Sequence, residues 1–83
     1  MNIIYELTIH AKCPVDGSDD IYQMTVTTSE IIPVELILDI VKECSALPIF
    51  QESLTESLAA KLQTTVKTVG YHTGVKTTCE SSE

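Results

Sequence analysis

Basic residues are scarce in this 83-residue chain: five Lys and Arg stand against twelve Asp and Glu, a formal net charge of −7. A protein that grips a phosphate backbone needs a basic patch to displace counterions, so direct nucleic-acid binding is not expected. Glycine and proline number three each, too few for a linker or a low-complexity segment. No stretch of the sequence repeats another, and no Gly-rich phosphate loop is present. No apolar run approaches membrane-spanning length, and the opening MNIIYELTIH lacks the basic start and apolar block of a signal peptide. The three cysteines, Cys13, Cys44 and Cys79, include no C-x-x-C pair. Together these absences predict free thiols in a reducing cytoplasm and no membrane association.

What remains is a globular composition, 43% hydrophobic and 20% charged. Its length suits one small domain over residues 1–80, with 81–83 as a flexible tail. So short a chain buries a small share of its surface, which makes self-association a natural source of stability.

Ile3, Tyr5, Leu7, Ile9 and Ala11 alternate with polar neighbours, the pattern of a half-buried strand. A turn-rich stretch, Cys13-Pro14-Val15-Asp16-Gly17-Ser18-Asp19-Asp20, leads to a second alternating run over 21–28 with Tyr22, Met24 and Val26 on one side. Pro33 suits a first helical position, and Val34, Ile37, Leu38, Val41 and Cys44 then recur at helical spacing until Pro48. Leu54, Leu58 and Leu62 mark a second helix. Ser53 and Glu56 have capping-box spacing, although a start nearer Phe50 is equally compatible. Residues 64–71 and 75–80 read as two further strands, joined through His72-Thr73-Gly74 as a hairpin. The predicted fold is α+β in the order ββααββ: a four-stranded antiparallel sheet with two helices on one face.

Taken alone, the polar residues admit plain readings. Cys13 is a loop cysteine, and Asp16, Asp19 and Asp20 form a solvated acidic turn. Glu52 suits the positive end of a helix. Cys44 belongs to the core, Cys79 lies near a fraying end, and Tyr71 and His72 form a turn edge. His10, Cys13, His72 and Cys79 match no standard zinc spacing, so no metal site is expected.

The element order and two local motifs resemble the tunnelling fold (T-fold) and, within it, the QueF family. These are the 7-cyano-7-deazaguanine (preQ0) reductases of queuosine-type metabolism, with amidinotransferase-like relatives in archaeosine-type metabolism. The family loop reads Cys-Pro-Val-Thr-Gly-Gln-Pro-Asp, and residues 13–20 keep its Cys, Pro, Val, Gly and final Asp. The resemblance implies that Cys13 is the nucleophile and Asp20 moves protons. A Phe-His-Glu cluster between the family's helices corresponds to Phe50-Gln51-Glu52. Glu52 would then hold the ring of a purine-like substrate, with Phe50 and Gln51 beside it and Gln51 replacing the His.

Near the first helix the reductases carry Glu-Ser-Lys-Ser-Leu-Lys, whose lysines serve NADPH. Here Glu35 remains, but Ile37 and Ile40 occupy the lysine positions. The residues therefore point to no cofactor, and NADPH enters only if the chain is a reductase. The expected activity is a Cys13 thioimidate formed on a preQ0-type nitrile, leading to amidine-type transfer or to nitrile reduction. The resemblance also implies a homo-oligomeric ring with sites between subunits. Two alternatives use no catalysis: a T-fold module that binds a purine, a pterin or a protein partner, and a small acidic interaction protein.

Overall fold

A computed structural model describes residues 1–83 and has the element order read from the sequence. The elements are β1 (Ile3–Lys12), β2 (Asp19–Thr28), α1 (Val34–Cys44), α2 (Gln51–Leu62), β3 (Thr65–His72) and β4 (Val75–Ser81). The four strands form one sheet in the order β1-β2-β3-β4, antiparallel at every pairing.

The alternation in β1 and β2 does what a two-residue period must do. Ile9, Ala11, Tyr22, Met24 and Val26 point to one side and are buried, with Tyr5 and Leu7 packed against them. From α2, Leu54, Leu58, Ala59 and Leu62 close over that side, joined by Ile37, Ile40 and Val41 of α1 and Val66 of β3. The opposite side of the sheet carries no helix. β1 and β4 are the two free edges.

α1 is turned relative to the expected face. Its buried residues are Ile37, Ile40 and Val41, whereas Val34 and Leu38 lie exposed. The expected set left out Ile40: Ile37, Ile40 and Val41 occupy the middle of the helix's apolar arc, opposite Glu35, Asp39, Lys42 and Glu43, whereas Val34 and Leu38 lie on its flank, and contact with α2 and the sheet takes the middle. Pro33 precedes the helix with extended ψ, and its carbonyl accepts from the amides of Leu36 and Ile37. α2 begins at Gln51 behind Phe50, so Ser53 lies inside the helix and caps nothing. It ends where Gln63 turns left-handed, with φ of 55°.

At the far end of the sheet Thr73 and Gly74 both have positive φ, 51° and 81°. That is the backbone of a tight hairpin whose twist matches its strands. β4 continues to Ser81, and Cys79 is paired across from Thr68 inside the strand, not at a frayed end.

Candidate active site

The turn from β1 to β2 is built by its own polar groups. The Cys13 amide donates to the Ser18 carbonyl at 2.8 Å and the Gly17 amide donates to the Cys13 carbonyl at 2.8 Å. Gly17 adopts φ of 75°, which a residue with a Cβ enters at a cost. The Asp16 carboxylate accepts from the Ser18 amide at 3.0 Å and the Ser18 hydroxyl at 2.6 Å. Those bonds hold Asp16 below the usual carboxylate range. Asp19 pairs with Lys12 across the strand ends, and this lowers it too. Two of the three acids in the predicted acidic turn are thus committed to the turn and its edge. Asp20 alone faces inward.

One backbone bond brings the second motif to this turn. The Ile49 amide donates to the Lys12 carbonyl at 3.1 Å, fastening the link between the helices to the end of β1. Phe50, Gln51 and Glu52 follow immediately and arrive beside Cys13. All five residues singled out by the sequence (Cys13, Asp20, Phe50, Gln51 and Glu52) line a single cavity of about 260 Å³. Pro14, Val15, Tyr22 and His72 complete its lining.

The last two were not expected there. Tyr22 is 1% exposed, and its hydroxyl donates to Asp20 Oδ2 at 3.3 Å. Burial and, next, the Asp20 charge push the Tyr22 hydroxyl far above the ordinary tyrosine range, so it stays a donor. The charges of Cys13 and Glu52 add to this shift, which places both near the same hydroxyl. His72, expected at a turn edge, ends β3 with its ring over the cavity, 5.9 Å between centroids from the Tyr22 ring. Its Nε2 lies 2.8 Å from Gln51 Oε1, and its Nδ1 lies 3.9 Å from Asp20 Oδ1.

Gln51 has structural bonds that the expected pattern did not foresee. It borders the cavity, yet it is 2% exposed and its amide is fully occupied. Nε2 donates to the carbonyls of Thr68 (3.2 Å) and Thr77 (3.0 Å) and to Thr68 Oγ1 (3.1 Å). Thr55 Oγ1 donates to the Gln51 carbonyl at 2.8 Å and sits 2.7 Å from Thr68 Oγ1. No buried side-chain polar atom is left without a partner. Gln51 therefore ties α2 to β3 and β4 and meets an imidazole at the site. Phe50, 56% exposed, and Glu52, in the first turn of α2, are the open groups of that motif.

The remaining thiols stand apart. Burial pushes Cys44 up, and burial followed by the Glu52 charge pushes Cys79 up. His10, Cys13, His72 and Cys79 do not gather, and no three His, Cys, Asp or Glu side chains form a metal-binding cluster. No helix is long and apolar enough to cross a membrane.

The signals that sequence reading passed over were a Tyr and a His near the same end of the sheet. Neither belongs to a local motif: Tyr22 read as a core position and His72 as part of a hairpin. Only the sheet register joins them, since the β2–β3 pairing carries Tyr22 toward Gly70 and His72 along the inner side.

No protein-family pattern matches the chain, and no curated protein matches it in sequence. Among solved structures, it is similar to the crystal structure of the archaeosine synthase QueF-Like in the apo form. The superposition has a TM-score of 0.84 at 18% sequence identity and covers 99% of this chain and 94% of that one. At that identity the likeness speaks for the fold, and it speaks for nearly the whole of it: the chain folds as a ββααββ tunnelling-fold unit, as the archaeosine synthase QueF-Like does.

Proposed function

We propose that this chain acts on a nitrile carried by a purine-like ring of the 7-deazaguanine type, with Cys13 as nucleophile. The observation that carries this reading is the meeting of Cys13, Asp20, Phe50 and Glu52 around one cavity. A nitrile carbon is a weak electrophile, and a thiolate is the protein side chain best suited to attack it. The Cys13 S–H adds across the C≡N bond: the S–C bond forms, one C–N π bond breaks, and the thiol proton ends on nitrogen. Asp20 takes that proton and delivers it, oriented by the Tyr22 hydroxyl on its other oxygen. Glu52 accepts adjacent N–H donors of the ring edge, a charge-assisted and directional pairing. The exposed Phe50 ring offers a flat apolar surface to the heterocycle.

Attack of an amine on the thioimidate would release the thiol and leave an amidine, with no oxidant or reductant required. Transfer of this kind fits better than reduction. Ile37 and Ile40, where the resembling reductases carry lysines, are buried in the core, so that helix face offers no basic side chains to NADPH. Both edges of the sheet are unpaired, which supports a homo-oligomeric ring in which a neighbouring copy adjoins the pocket.

The test is incubation of the pure protein with preQ0, followed by intact mass and thioimidate absorbance. An adduct that vanishes in Cys13→Ala is expected. If the nitrile binds equally well with and without the thiol and no adduct appears, the chain is a binding module. A strictly monomeric mass in solution would rule out the shared pocket.

A further inference from the structure

The orientation of the Gln51 amide is forced. Its nitrogen faces two backbone carbonyl oxygens, those of Thr68 and Thr77, at 3.2 and 3.0 Å. Rotating the amide by half a turn would aim Oε1 at both, oxygen against oxygen, in a buried place where water offers no substitute partner. Oε1 must therefore point the other way, toward His72 Nε2 at 2.8 Å. An amide oxygen only accepts, so Nε2 must carry the hydrogen.

That assignment settles the other end of the ring. In a neutral imidazole one nitrogen donates and the other accepts. With the hydrogen held on Nε2, the lone pair of Nδ1 faces Asp20 Oδ1 at 3.9 Å. Two acceptors facing one another repel unless a proton lies between them, on either partner or carried by one intervening water. Exposure differs along this line in a useful way: the Asp20 side chain is 13% exposed and the His72 side chain 38%. The imidazole is the wetter end of the pair and the carboxylate the drier one. The titratable groups facing the pair are Tyr22 from β2, Cys13 from the β1–β2 turn and Glu52 from α2.

We infer that Gln51, His72 and Asp20 form a directional proton line in which Gln51 fixes the His72 tautomer and His72 Nδ1 exchanges a proton between solvent and Asp20. His72 is thus a positioning residue that acts through Asp20. Its part in turnover rests on the nitrile reading above, whereas the tautomer and the proton contact do not. Gln51 at the middle of Phe50-Gln51-Glu52 then has a purpose of its own. It presents no acid or base, and it directs an imidazole supplied by β3.

The experiment is long-range 1H–15N correlation spectroscopy on protein labelled at histidine, in a His10→Asn background that leaves one imidazole. His10 lies on the helix-free side of the sheet, opposite Ile21, and its replacement leaves the cavity intact. The neutral His72 ring is expected to carry its hydrogen on Nε2 alone. Asp20→Asn should move the Nδ1 resonance and leave Nε2 in place, and Gln51→Leu should mix the two tautomers. A neutral ring protonated at Nδ1, or an Nδ1 resonance indifferent to Asp20→Asn, would overturn the inference even if Gln51→Leu fails to fold. In the adduct assay, His72→Gln can still donate to Gln51 Oε1 but has no basic nitrogen. It should slow thioimidate formation at least about tenfold without weakening nitrile binding, less than the ~10²–10⁴ of a direct acid or base. An unchanged rate would overturn the role in turnover. If the wild type forms no adduct, the nitrile reading falls, and the spectra still decide the proton line.

Discussion

Gly70 on β3 lies against the ring of Tyr22 on β2 so closely that a Cβ there would sit 2.5 Å from Cδ1 and 2.7 Å from Cε1. This glycine makes room: its φ is ordinary, and what it supplies is the absence of a side chain. The space it leaves lets Tyr22 cross the inner side of the sheet and bring its hydroxyl to Asp20.

Gly70→Ala should therefore destabilise the fold by about 1–3 kcal/mol, the usual cost of overpacking. The Ile21 carbonyl, 3.3 Å from the added carbon, leaves little room on the backbone side. Urea unfolding of the variant measures the cost. A loss within about 0.5 kcal/mol, the range of a neutral surface change, would show that the ring moves aside freely.

Gln51→Leu keeps the size of the side chain and removes its hydrogen bonds. The carbonyls of Thr68 and Thr77 lose their side-chain donor and His72 Nε2 loses its acceptor. Stranded buried polar groups cost about 1–3 kcal/mol, and urea unfolding should register a loss of this size. A stability equal to wild type would mean that water replaces the amide.

Alkaline pH should reveal Tyr22. Its hydroxyl is held up by burial first and the Asp20 charge second, so the folded state keeps a proton that the unfolded state releases near ~10. A raised folded value gives stability that is complete below that point and is lost as pH rises beyond it. Comparing urea unfolding at pH 8 and pH 11, Tyr22→Phe should lose less stability than wild type. Parallel losses would contradict the assignment.

Limited alkylation with iodoacetamide near pH 8 should separate the three thiols. Cys44 and Cys79 are both pushed up by burial, which suppresses their thiolates, while Cys13 opens onto the cavity. Peptide mapping is expected to find Cys13 modified first, and Cys13→Ala should remove the fast phase. Modification of Cys44 ahead of Cys13 would argue against an available nucleophile.

Much of this was legible in the residues. The alternations from Ile3 and from Ile21 marked the two long strands, because a two-residue period has one reading. The leucines at 54, 58 and 62 marked α2 for the corresponding reason at helical period. Cys13, Asp20 and Glu52 were legible through a motif, and the cavity unites them with Phe50. The face of α1 was not fully read, since the expected set took Val34 and Leu38 from the flank of the apolar arc and passed over Ile40 at its middle. Nor were Tyr22 and His72 as a pair. They are fifty positions apart, and only the register of β2 on β3, with the room left by Gly70, brings their rings within 5.9 Å. The role of Gln51 was hidden for the same reason, because its partners Thr68, His72 and Thr77 all come from the last two strands.

The single bond from the Ile49 amide to the Lys12 carbonyl fixes where this chain can change length. A residue added between Pro48 and Phe50 would shift the start of α2 and swing Glu52 away from Cys13, and one added in the Cys13–Ser18 turn would do the same from the other side. The segment from Thr28 to Pro33 is tied elsewhere, its Ile32 amide donating to the Tyr5 hydroxyl at 3.1 Å, so its length sets the seat of α1 and leaves the meeting of Glu52 and Cys13 untouched. Sequences descended from the same ancestor should thus keep a constant count in the two stretches that bring Glu52 and Cys13 together, a pattern that more of their sequences would reveal without any assay.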